Sequence, residues 1–170
     1  MKKDILKDET EELAAGQFLK FYNSTFTTEY CVVEHAEGPD FRCRDSATGA
    51  QLLFDVTTAS EPPHDPMIRR KMLERTYSHD PRRRPATQDM ERALPYYKRN
   101  IEQKLLMRYG ANCALVVYHL APIPIGNLEH YLRRLRREID YTKGQFDKGV
   151  WFLHWHDVYR LDKEDAEPAA

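Results

Sequence analysis

Apolar positions along this chain repeat with two different periods. Ala14, Phe18, Phe21 and Tyr22 recur at helical spacing, and Asp8 with Glu11 forms a capping-box pattern. The spacing therefore predicts a helix over residues 8–22, closed by Asn23-Ser24. The pattern then changes to that of strands. A run of Tyr, Val and Thr predicts one strand over 28–34, and a short second strand follows the Gly38-Pro39 turn as far as Arg44. Residues 45–49 have the composition of a turn, and residues 51–57 make a third strand. The core of that strand, Leu52-Leu53-Phe54-Asp55-Val56, is too continuously apolar for an exposed edge, so it is expected in the middle of the sheet with both faces covered. A charge at Asp55 is out of keeping with such a position.

Between residues 58 and 95 the periodicity gives way to prolines and charges, with room for a short helix over 67–77. An irregular connection of that length inside a domain is usually functional or mobile. Helical order returns over 96–109, where Ile101, Leu105 and Tyr109 align and Gly110 stands at the C-cap position. A buried strand is predicted over 114–119. After Pro122-Ile123-Pro124 comes the most amphipathic helix, with Leu128, Leu132, Leu135 and Ile139 on one face and Arg133, Arg134, Arg136 and Arg137 on the other. An aromatic strand over 150–156 precedes an acidic tail, 157–170, whose composition suits a flexible segment. The element order is αβββ, loop, αβαβ. It implies an α/β (mixed α+β) domain of 170 residues, with a central mixed sheet flanked by helices.

Composition narrows the chemistry. The formal net charge is -1, so bulk charge does not drive association with a polyanion, and nucleic-acid affinity has to come from local patches. The local basic patches are Arg69-Arg70-Lys71, Arg82-Arg83-Arg84 and the helix face that carries Arg133 and Arg137. Cys31, Cys43 and Cys113 are odd in number and without a C-x-x-C pair, which argues for reduced thiols over a disulfide framework or a zinc site. The first residues lack the apolar run of a signal peptide, and no stretch reaches the ~18 apolar residues of a membrane span. The expectation is a cytoplasmic protein without a membrane partner.

The candidate chemistry lies in residues 34–58. Asp40 opens the second strand and Asp55 lies near the end of the third, so antiparallel pairing brings both carboxylates to the same end of the sheet. Like charges so placed repel, and a hard divalent cation would resolve the conflict. The plainer alternative is that Asp40 makes a turn after Pro39 while Asp55 accepts a buried hydrogen bond.

Pro39-Asp40, then Asp55-Val56-Thr57 after an apolar strand, within this element order, resembles the PD-(D/E)XK nuclease superfamily over residues 8–155. The resemblance implies a restriction-endonuclease-like core of αβββαβ order with an extra αβ unit. It also implies that Asp40 and Asp55 bind Mg²⁺ or Mn²⁺ and that the substrate is DNA, less readily RNA. The family places a lysine two positions after the strand acid, where this chain has Thr57. Threonine cannot offer a positive charge to a developing phosphorane. In some members the lysine has moved to the following helix, and Lys104 is the candidate for that role. Glu34, near the end of the first strand, is a candidate third acid and metal ligand. Glu12 is a further candidate, His35 is near the same cluster, and Gln103 is a possible polar contributor.

Three functions follow from these residues. One is a Mg²⁺-dependent phosphodiester hydrolase, for which a homodimer is compatible. Another is a catalytically inactive nuclease-fold module that binds nucleic acid or a protein, with Thr57 as its sequence evidence. The third is an interaction protein of the immunity or toxin-associated kind that uses the aromatic strand Trp151 to His156 as its contact surface.

Overall fold

The computed structural model describes residues 5–58, 90–119 and 127–163. Within them the elements run α1 (Ile5–Phe26), β1 (Tyr30–His35), β2 (Phe41–Asp45), β3 (Gln51–Thr58), α2 (Met90–Leu105), β4 (Cys113–His119), α3 (Leu128–Glu138), β5 (Val150–His154) and β6 (Asp157–Arg160). They form a mixed α+β architecture around one six-stranded sheet in the order β1-β2-β3-β4-β5-β6. The first three strands are an antiparallel meander, β3, β4 and β5 are parallel, and β6 is antiparallel to β5.

Strand alternation divides the core into two layers. On one face Leu52, Phe54, Val56, Val116, Tyr118, Trp151 and Leu153 pack against Ala14, Phe18 and Tyr22 of α1. On the other, Leu115, Val117, Val150 and Phe152 meet Tyr97 and Ile101 of α2 and Leu132 and Leu135 of α3. All seven residues of β4 are buried, as the central parallel strand of a doubly covered sheet must be. Cutting Phe54 or Phe152 to alanine should cost ~3–5 kcal/mol, since either leaves a cavity in a closed layer.

Several element ends differ from the sequence expectation. Asn23 does not end α1, which continues to Phe26 and stops at Thr27 in the left-handed region (φ 53). Instead the Asn23 side chain donates to the Tyr30 carbonyl and accepts from the Tyr30 N–H, tying the helix to the start of β1. α2 starts at Met90, so residues 90–95 are helical where an irregular connection was expected, and Pro95 lies inside the helix. It ends at Leu105, four residues early, because the N–H groups of Leu106 and Met107 turn back to the carbonyls of Gln103 and Lys104 in tighter three-residue bonds. Residues 157–160 are not tail but the sixth strand. Trp155, expected on the aromatic strand, lies in the tight turn before it with φ 61. The sequence 157–160 is polar because it forms an edge. Beyond it Leu161 is buried and its N–H donates to the Val150 carbonyl, while the Asp162 carboxylate accepts from the Val150 N–H.

Cys43 and Cys113 are buried and Cys31 is exposed, all three as free thiols. Among the described residues no helix is long and apolar enough to cross a membrane. The expected helix over 67–77, the basic clusters Arg69-Arg70-Lys71 and Arg82-Arg83-Arg84, and the end of the tail lie outside the described residues.

Candidate functional site

The meander brings the two aspartates together. β2 and β3 pair with Arg42 opposite Leu53 and Phe41 opposite Phe54, so one further step sets Asp40 opposite Asp55. The pairing is fixed from both sides: Val56 N–H donates to Asp40 Oδ2 at 2.8 Å, and Ala36 N–H donates to the Asp40 carbonyl at 2.9 Å. The turn before Asp40 contains Gly38, with φ +51, and a cis Gly38-Pro39 bond. A side chain at Gly38 would be strained at that φ, and its Cβ would stand 3.3 Å from Tyr109 Cε1. Glycine therefore lets the Pro-Asp turn lie close to the edge of the Tyr109 ring.

Asp55 is 1% exposed although its neighbours Phe54 and Val56 face the α1 layer. Its side chain points to the opposite face, where α2 and the residues after it supply two donors. Lys104, in the last turn of α2, places Nζ 2.5 Å from Asp55 Oδ2. The Tyr109 hydroxyl donates to that same oxygen at 2.9 Å. With both carboxyl groups ionised, Asp55 Oδ1 is buried and has no hydrogen-bond partner among the described residues. Burying a carboxylate oxygen without a partner is costly, so Oδ1 is the atom at which this site is electrostatically incomplete.

The second carboxyl reports the same imbalance. Asp40 is pushed up to about 7, mainly by burial, then by sharing a hydrogen bond with Asp55 and by the Asp55 charge; the Val56 N–H acts in the opposite direction. Two carboxyl groups close enough to share a proton compete for ionisation. Tyr109 is likewise raised, by burial and then by the charge of Asp55, so its hydroxyl stays protonated and remains a donor.

These residues fit a hard divalent cation. Mg²⁺ takes one or two carboxylates and keeps several waters, so the Asp40 and Asp55 pair with a spare buried oxygen suffices. Among the described residues no group of three or more His, Cys, Asp and Glu side chains could hold a metal ion, so any such ion would rest on this carboxylate pair.

The remaining sequence candidates divide. Glu34 does not join the pair: β1 is the exposed edge of the sheet, and Glu34 faces Arg42 across it at 3.4 Å, both side chains more than half exposed. Glu12 is also exposed, 3.9 Å from His35 Nδ1. Its neighbour Glu11 is the buried acid, 3.4 Å from His35 Nε2, and its charge helps to raise Asp40. The His35 ring stacks on Phe41 at 4.5 Å, next to the start of β2. Gln103 is exposed on α2. On α3, Arg133 and Arg134 pair with Glu129 and Glu138 along their own helix. Arg136 donates to the Arg160 carbonyl, and Arg137 is exposed.

Glu11 and Tyr109 are the two residues that sequence reasoning did not assign to the site. Glu11 had a signal, since it lies on the same helical stripe as Ala14, Ala15, Phe18 and Tyr22, where a charge is out of place. Tyr109 had a misleading one. Its spacing from Ile101 and Leu105 continues the apolar stripe of α2, and only the early end of the helix turns it towards Asp55.

Comparison of the chain with protein-family models, with curated proteins and with solved structures found no match to any of them.

Proposed function

We propose that this protein is a divalent-metal-dependent phosphodiester hydrolase acting on nucleic acid, DNA in the first instance, built on a restriction-endonuclease-like core. The observation that carries the reading is the meeting of Asp40 from the turn before β2, Asp55 of β3 and Lys104 of α2, with one ionised Asp55 oxygen buried and without a donor among the described residues. A structural ion pair needs one acid. Here a second acid sits beside the first and is destabilised by it.

Asp40 and Asp55 would hold Mg²⁺ or Mn²⁺, which when bound acidifies water and polarises a phosphodiester. Lys104 has the role that Thr57 cannot fill. Its ammonium comes to Asp55 from α2, on the side of β3 towards which Asp55 projects, where it can orient water for in-line attack and offset charge gathering on the phosphoryl oxygens. Tyr109 stays neutral and holds its proton on the Asp55 oxygen. A 3′-hydroxyl leaves. Asp40 keeps its carboxyl turned to the site because the Val56 N–H holds one oxygen.

A second reading has its own support. The Lys104 to Asp55 contact is short and already neutralises one acid, which suits a nuclease-fold module that binds nucleic acid or protein without cutting. The two readings separate on one experiment. Purified protein is incubated with labelled single- and double-stranded DNA and RNA, with Mg²⁺, with Mn²⁺ or with chelator, beside Asp40→Ala, Asp55→Ala and Lys104→Ala. The hydrolase reading expects metal-dependent cleavage that each variant lowers by at least ~100-fold, the usual scale for losing a group that stabilises developing charge. Metal-independent binding without cleavage, unchanged in the variants, supports the second reading and overturns the first.

A further inference from the structure

We propose that Tyr109 is a positioning residue that aims the Asp55 carboxylate at the cation and thereby makes the site favour Mg²⁺ over larger ions; the inference rests on the hydrolase reading above. A carboxylate turns about its last bond over a broad, shallow profile, so burial alone does not decide which oxygen a ligand meets. Two donors contact Asp55, and both land on Oδ2. They are not equivalent. Lys104 is a point charge on a stem of four rotatable bonds, 30% exposed, and its proposed chemistry requires it to serve water and phosphate as well. It can follow the carboxylate as it turns.

Tyr109 is less free to follow it. Its ring packs against Phe146, whose ring centre is 5.8 Å away, and lies close enough to the Gly38 turn that a Cβ added there would stand 3.3 Å from it. The phenol therefore delivers its hydrogen to Oδ2 and leaves Oδ1 as the oxygen without a donor among the described residues. The same ring lies close to the turn that carries Asp40, so one side chain is placed to set the two carboxyl groups relative to each other. Groups that orient a ligand without touching the metal commonly contribute 10–100-fold to its affinity. The smaller Mg²⁺ demands near-ideal octahedral geometry, so it should suffer more than Mn²⁺ from a loosened carboxylate.

Tyr109→Phe tests this, because it keeps the ring against Gly38 and Phe146 and removes only the donor. Mg²⁺ and Mn²⁺ are titrated calorimetrically into the full chain without nucleic acid, and the melting temperature of the metal-free protein is recorded alongside. The expected result is an affinity for Mg²⁺ about 10-fold or more below wild type, a clearly smaller loss for Mn²⁺, and a metal-free melting temperature within a few degrees of wild type. An unchanged Mg²⁺ affinity, or an equal loss for both ions, overturns the positioning role while leaving the metal site standing. If the wild-type protein binds neither ion, the hydrolase reading itself fails, and the role of Tyr109 with it.

Discussion

Lys104 and Asp55 form a 2.5 Å ion pair in which the anion is buried and the cation stands partly in solvent. The asymmetry matters because removing one partner of a pair is most damaging when the group left behind cannot reach water. Lys104→Met keeps the apolar stem of the lysine and strands Asp55 beside Asp40. A loss of about 2–4 kcal/mol is expected, below the usual cost for a fully buried pair because Lys104 is partly exposed. Urea unfolding of the metal-free variant measures it. Added Mg²⁺ should restore part of the stability, since a ligand that binds only the folded state stabilises it by mass action.

Asp40→Asn should make the metal-free protein more stable and stop cleavage. The amide can still accept the Val56 N–H through its oxygen, so the turn is kept, while the charge that opposes Asp55 is gone. At pH 8 a rise of about 3–8 °C in melting temperature is expected, at roughly 2–4 °C per kcal/mol for a chain of this length. A variant that is stabilised and inactive marks a site that holds strain for function.

The pH dependence of stability has a definite sign. Asp40 is raised in the folded protein from the ordinary carboxylate range to about 7. Its stabilising contribution is therefore whole below pH ~4 and is lost as pH rises towards 7, because the unfolded chain gives up its proton first. In metal-free buffer the melting temperature should fall between pH 5 and pH 8. Asp40→Asn should flatten that slope, and saturating Mg²⁺ should reverse much of it; a slope identical in wild type and variant would assign the dependence to other groups.

The arginines of α3 should not behave alike. Arg136 is 12% exposed and donates to the Arg160 carbonyl at 2.9 Å, fastening α3 to the β6 edge. Arg136→Ala is expected to cost about 1–2 kcal/mol, since it removes a charged donor from a half-buried acceptor. Arg137→Ala should stay within about 0.5 kcal/mol, as exposed substitutions do. If nucleic acid binds along this helix, Arg137→Ala should instead show itself as a shallower salt dependence of binding. Thermal melts and binding at two ionic strengths read both.

Much of this architecture was legible because apolar runs and turns carry it. The continuous run around Phe54 marked a covered central strand, and Gly38-Pro39-Asp40 marked the turn that opens β2; the structure has both. The register that sets Asp40 opposite Asp55 followed from the short hairpin between β2 and β3. Lys104 was pointed to by the nuclease resemblance, through its place on the helix that follows the loop, and that helix does bring it to Asp55. What the sequence hid depended on tertiary packing. Glu34 looked like a site acid because it ends a strand near Asp40, yet β1 is an edge and Glu34 faces Arg42 in solvent. Tyr109 looked like a core residue because a stripe does not show where its helix stops. The polar run 157–160 looked like tail because an edge strand needs little apolar surface.

If one divalent cation sits between Asp40 and Asp55, anomalous scattering from crystals soaked in Mn²⁺ will locate it. One strong peak is expected at about 2.0–2.3 Å from an oxygen of each carboxylate, the range of metal–oxygen bonds for such ions. The same soak of Asp55→Asn crystals should give no peak there. A Mn²⁺ peak only elsewhere in the wild-type protein, with none between Asp40 and Asp55, would contradict it.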